Sequence, residues 1–92
     1  MVYVVERYLP GVSRDELERK LERLKLATRE LRDEGTLVHY LGSTIVLEDE
    51  ACFCQFEGPS EEAVVEANRR AGVPFDRIVT AVRVLDGADK EE

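Results

Sequence analysis

The chain has 92 residues, 43% of them hydrophobic and 36% charged, with a formal net charge of −7. That length allows one small domain with a modest core, a size at which oligomerisation is a common supplement. The acidic balance, without a basic stripe, argues against nucleic acid as the main partner, and no apolar run is long enough to span a membrane.

The N-terminal stretch MVYVVERYLP lacks a basic n-region and reads as a strand rather than a leader. The expected location is therefore the cytoplasm, where cysteines stay reduced. Val2–Tyr8 is rich in β-branched and aromatic residues and ends at the turn signal Leu9-Pro10-Gly11. Ser13 and Glu16 form a capping box, with Val12 and Leu17 placed for a hydrophobic staple. Leu17, Leu21, Leu24, Thr28 and Leu31 then recur at helical spacing until Gly35 stops the helix.

Thr36–Leu47 reads as a long strand interrupted by Gly42, a position that often marks a bulge. A polar turn leads to its hairpin partner, Ala51–Glu57, which Gly58-Pro59 ends. Ser60 caps a second helix, with Ala63, Val64, Ala67 and Ala71 on its inner face and Gly72 as its stop. Arg77–Leu85 is the last strand, and residues 87–92 form an acidic tail expected to be flexible, leaving one domain over residues 1–86.

The order β-α-β-β-α-β predicts the ferredoxin-like fold, a four-stranded antiparallel sheet with two helices on one face. Val2, Val4, Ile78, Val79, Ala81, Val82 and Val84 make both sheet faces substantially apolar. A face left to water would alternate apolar with polar residues. The economical solution is a homodimer packed sheet to sheet, a dimeric α/β barrel with a central cavity.

Both cysteines fall in EACFCQF. With Leu47–Glu50 as the loop, Val46 faces Ala51, and Cys52 pairs with Ile45, Cys54 with Ser43 and Phe56 with Leu41. Cys52 and Cys54 would then share a face with Ser43, Leu41 and His39. Phe53, Gln55, Thr44, Gly42 and Tyr40 would lie on the other face. Alternate strand residues stand about 6.6–7 Å apart with parallel side chains, which disfavours a mutual disulfide. Two thiols on one face could bind a soft or borderline metal ion if a third ligand were supplied. As packing residues flanked by Phe53 and Phe56, the same thiols would be buried and their pKa values raised.

His39, the only histidine, is either a ligand or general base or a half-exposed strand residue. Glu6 either faces a central cavity, where it could bind a cation or take a proton, or closes a strand-end ion pair. Asp76 and Arg77 suit loop-to-strand capping. Glu6, His39 and Tyr40 would be the polar groups of any small-molecule site in the barrel cavity. GPSEEA is a helix cap, and no nucleophile elbow or phosphate-cradling glycine loop is present.

The stretches VERYLPG (Val5–Gly11), YLGSTIVLEDEACFCQFEGPSEEAV (Tyr40–Val64) and ANRRAGVPFDRIV (Ala67–Val79) resemble a family of small bacterial domains of unknown function. Some members of that family are described as nickel-binding. The resemblance implies a ferredoxin-like dimer and a divalent transition metal such as nickel, with Glu6, His39, Cys52 and Cys54 as the candidate ligands. Asn68 stands where nickel-associated members commonly carry a histidine. The alternative is a small-molecule-binding or enzymatic barrel that uses the central cavity.

Overall fold

A computed structural model describes residues 1–86; the predicted acidic tail, 87–92, lies outside the described residues. The elements are β1 (Val2–Tyr8), α1 (Arg14–Asp33), β2 (His39–Val46), β3 (Ala51–Glu57), α2 (Glu61–Ala71) and β4 (Arg77–Ala81). All neighbouring strands are antiparallel, in the order β2-β3-β1-β4. This is the ferredoxin-like fold expected from the element order.

Ser13 starts α1 as anticipated. Its hydroxyl accepts from the Glu16 backbone N–H at 3.1 Å, and the Glu16 carboxylate accepts from the Ser13 N–H at 3.2 Å. Each satisfies a helix-end donor that would otherwise lack a partner. Ser60 does the same for α2 through the Ala63 N–H at 3.2 Å. Gly72 ends α2 with φ of 70°, a left-handed conformation that glycine takes without a Cβ penalty.

Both helices cover one sheet face. Tyr3, Val5, Cys52, Cys54 and Phe56 from the sheet pack with Leu24, Ala27 and Leu31 of α1 and with Val64, Ala67 and Ala71 of α2. The even-numbered side of β1, with Val2, Val4 and Glu6, lies on the opposite face and is only partly covered.

The hairpin register is as predicted from Val46–Ala51 through Gly42–Gln55, and then departs. Phe56 pairs with Tyr40, not with Leu41, because the register shifts between Tyr40 and Gly42. Leu41 is the extra residue of a β-bulge and is 38% exposed. Gly42 sits at φ of 141°, a conformation closed to most side chains, which is what lets the strand turn there.

Two strand ends are shorter than expected. β2 begins at His39 rather than Thr36, and β4 ends at Ala81 rather than Leu85. The cause for β4 is plain in the register: Ala81 faces Val2, the first residue of β1, so Val82 has no strand opposite it. Val82 and Val84 are consequently left 87% and 88% exposed.

Candidate functional site

Adjacent strand residues point to opposite faces, and in β1 it is Arg7, not Glu6, that faces the helices. Arg7 is 2% exposed, among the largest buried side chains of the chain. Its Nη2 donates to Asn68 Oδ1 at 2.7 Å, and its Nη1 donates to the carbonyls of Val73 and Pro74 at 3.3 and 3.2 Å. The Asn68 amide donates in turn to the Val64 carbonyl one helical turn back, at 2.8 Å, which fixes which end of the amide meets Arg7. Among the described residues, Arg7 has no carboxylate partner, and its buried Nε has no hydrogen bond. A buried guanidinium without a counter-ion is costly, so the groups around it carry the compensation.

Beside those acceptors stand the two thiols. Arg7 faces Cys52 across the β1–β3 ladder. Cys52 and Cys54 are free, 2% and 0% exposed, with their sulfurs 3.6 Å apart. Ser43 Oγ donates to Cys54 Sγ at 2.9 Å and is itself hydrogen-bonded to the Tyr40 hydroxyl. A file of polar atoms therefore runs from Tyr40 through Ser43 and Cys54 to Cys52, beside a fixed cation.

Burial does not raise both thiols, as the apolar flanks suggested. The hydrogen bond from Cys52 lowers the Cys54 pKa to about 6, against the opposing effect of burial and with help from the Arg7 charge and Ser43. Arg7 acts here chiefly as a nearby charge, since its Nε falls short of a formed hydrogen bond. Cys52 is pushed up by its hydrogen bond to Cys54, by burial and by the neighbouring negative charge. The pair thus shares its first ionisation across the two sulfurs, with the Ser43 hydroxyl and the Arg7 charge favouring the Cys54 side.

The remaining candidates are dispersed. The bulge turns His39 away from the cysteines: it pairs with Glu57, both are exposed, and the expected Cys/His face does not form. Tyr40 takes that place, half-buried, with its ring edge-on to Phe56 at 5.5 Å. Glu6 lies on the opposite sheet face and is held by Arg77 Nη2 at 2.8 Å, so the strand-end ion pair is the observed state. Asp76 caps the loop, its carboxylate accepting from the Tyr8 N–H at 2.8 Å. An apolar cleft of about 510 Å³ lies between α1 and the hairpin, lined by Leu9, Val12, Leu17, Leu21 and Ile45. It brings no catalytic grouping together.

Sequence reasoning gave Arg7 and Asn68 no part in this centre, and it placed Ser43 beside Cys54 without assigning it a role. The signal for Arg7 was available: in a strand of alternating burial, an arginine of the same parity as Tyr3 and Val5 had to enter the core.

Nickel does not fit this centre well within one protomer. Among the described residues, no three His, Cys, Asp or Glu side chains converge on one point. Imidazole suits nickel, but His39 is remote and the Asn68 oxygen is already engaged by Arg7. The sulfur pair alone is suited to a metal. Two bonds of about 2.3 Å at a tetrahedral angle span roughly 3.8 Å, close to the observed separation.

A family model described as "Nickel responsive protein SCO4226-like" matches residues 3–80. The crystal structure of SCO4226 from Streptomyces coelicolor A3(2) superposes with a TM-score of 0.73 at 23% identity, covering 92% of this chain and 100% of that one. No curated protein matches the chain significantly. No helix among the described residues is long and apolar enough to cross a membrane.

Proposed function

Because the chain belongs to the SCO4226-like family of nickel-responsive proteins, we propose that it is a small metal-responsive protein that takes up a transition-metal ion at the Cys52–Cys54 pair and acts as a homodimer. The observation that carries this reading is the 3.6 Å contact of the two buried sulfurs, with Ser43 and Tyr40 as adjoining oxygen donors. Thiolates, not thiols, ligate metals. The hydrogen bond from Cys52, with help from the Arg7 charge and Ser43, favours one of them before any ion arrives. Tyr40 and Ser43, both half-buried and on the edge strand β2, are the partners of the pair nearest solvent.

The homodimer is supported by the open sheet face. Val2, Val4, Phe53, Val79 and Ala81 are all partly exposed there, beside the Glu6–Arg77 ion pair. Covering several such side chains with a second copy contributes roughly 1.5–3 kcal/mol for each one fully buried. Light scattering should report twice the 10.5 kDa chain mass.

The metal reading is tested by equilibrium dialysis of the reduced protein against nickel(II), zinc(II) and copper(I) in turn, followed by metal analysis. Retention of at least one of these ions by the native chain, and its loss in a folded Cys52→Ser, Cys54→Ser variant, is the expected result. A native chain that retains none of them after washing overturns the reading.

A further inference from the structure

The charges around the sulfur pair decide which class of ion it accepts. Two thiolates contribute −2 and the buried Arg7 guanidinium +1. Arg7 cannot shed its proton. It is tied by Asn68, Val73 and Pro74 and has no carboxylate to neutralise it among the described residues. A monovalent cation therefore brings the centre to zero, whereas a divalent cation leaves +1 among residues that are 0–2% exposed. Uncompensated charge in such a place is strongly disfavoured.

We propose that the Cys52–Cys54–Arg7 centre is a site for a monovalent thiophilic ion, of the copper(I) or silver(I) class, in preference to divalent nickel. Soft thiolate donors select such ions, and the 3.6 Å sulfur separation suits a bent arrangement in which the Ser43 hydroxyl, beside Cys54, is the adjoining neutral donor. Binding is written as the thiol–thiolate pair plus one monovalent ion giving a dithiolate complex and one proton. No electron is transferred, and Arg7 keeps its charge throughout. The inference rests on the metal reading above but adds the charge of the ion and the residue that sets it.

The test is a competition titration of the reduced, full-length protein with copper(I) against a copper(I)-specific chelator, and with nickel(II) against a nickel chelator. Arg7→Met is titrated in parallel after its fold is checked by circular dichroism. The native protein should bind one copper(I) per chain and prefer it to nickel(II). Removing the neighbouring charge should narrow that preference by about tenfold or more, from the Coulomb energy of a unit charge a few ångströms away. Arg7→Lys, which keeps the positive charge, should retain the preference, and its loss in a folded Arg7→Lys also overturns the inference. Cysteine-dependent nickel binding as tight as copper(I) overturns the charge inference while leaving the metal reading intact. An unchanged preference in a folded Arg7→Met also overturns it. Binding of neither ion overturns both.

Discussion

Asn68 Oδ1 accepts a 2.7 Å hydrogen bond from the buried guanidinium of Arg7, while the Asn68 amide is anchored on the Val64 carbonyl at 2.8 Å. One side chain thus joins α2 to the centre of the sheet and compensates a charge that has no acid partner among the described residues. A position that reads as a missing metal ligand in the sequence is a structural brace.

Asn68→Ala should therefore destabilise the fold. It removes an acceptor from a charged, buried donor, a loss of about 1.5–3 kcal/mol. For a chain of this size each 1 kcal/mol lowers Tm by roughly 4–8 °C. Urea and thermal unfolding measure this directly. A variant as stable as the native chain would show that Arg7 finds another partner.

The cysteine pair should titrate in an unusual place. Ultraviolet absorbance of the metal-free protein should show one thiolate per chain forming with a midpoint of about 6, and Cys54→Ser should abolish it. The sign for stability follows. The Cys54 pKa lies below its unfolded value, so its contribution is fully present above the ordinary thiol range near 8.5 and is lost as pH falls through about 6. The raised Cys52 acts in the opposite sense, and only above that ordinary range. A first thiolate that forms only near the ordinary thiol value would refute the Cys52–Cys54 hydrogen bond, aided by the Arg7 charge, as the cause.

Charge and access are separate matters for these thiols. With 2% and 0% exposure, both should react slowly with a bulky thiol reagent in the native state and quickly once unfolded. Immediate native labelling would mean that β2 opens readily at the sheet edge.

Gly42→Ala tests the bulge. No atom lies within 4 Å of the Cβ it would add, so the cost is one of backbone conformation at φ of 141° and not of collision. About 1–3 kcal/mol is expected for holding a non-glycine residue in so sparsely populated a region. If the hairpin instead relaxes by removing the bulge, Tyr40 and His39 exchange faces. The Tyr40–Ser43 hydrogen bond is then lost, and tyrosine fluorescence would report the change.

Glu16 offers a second pH dependence, at a helix end. Its carboxyl is held below the usual range by the Ser13 backbone N–H and then by the Ser13 hydroxyl. The capping contribution is present above the ordinary glutamate value and fades as pH falls through the lowered one. Glu16→Gln should keep much of the helix and flatten stability between pH 5 and 3, roughly the carboxylate range. An unaltered acid limb would place that dependence on other carboxylates.

What the sequence determined by itself is the local and periodic part of the protein. The Ser13–Glu16 and Ser60 caps, the Gly35 and Gly72 stops and the element order each follow from interactions within a few residues. The ferredoxin-like plan follows from that order. Hairpin pairing from Val46–Ala51 to Gly42–Gln55 was also legible, since a short turn and a period of two fix the register nearest the loop. Beyond Gly42 that logic fails. One extra residue reverses which face every later side chain joins, so His39 left the cysteines and Tyr40 joined them. Glu6 and Arg7 posed the same two-way choice. It was decided by partners far away in the chain: Asn68, Val73 and Pro74 on the helix side for Arg7, and Arg77 on the open side for Glu6. Only the tertiary structure brings a guanidinium from β1 against two thiols of β3, because a buried charge is placed by the sum of its distant partners and no local pattern records them.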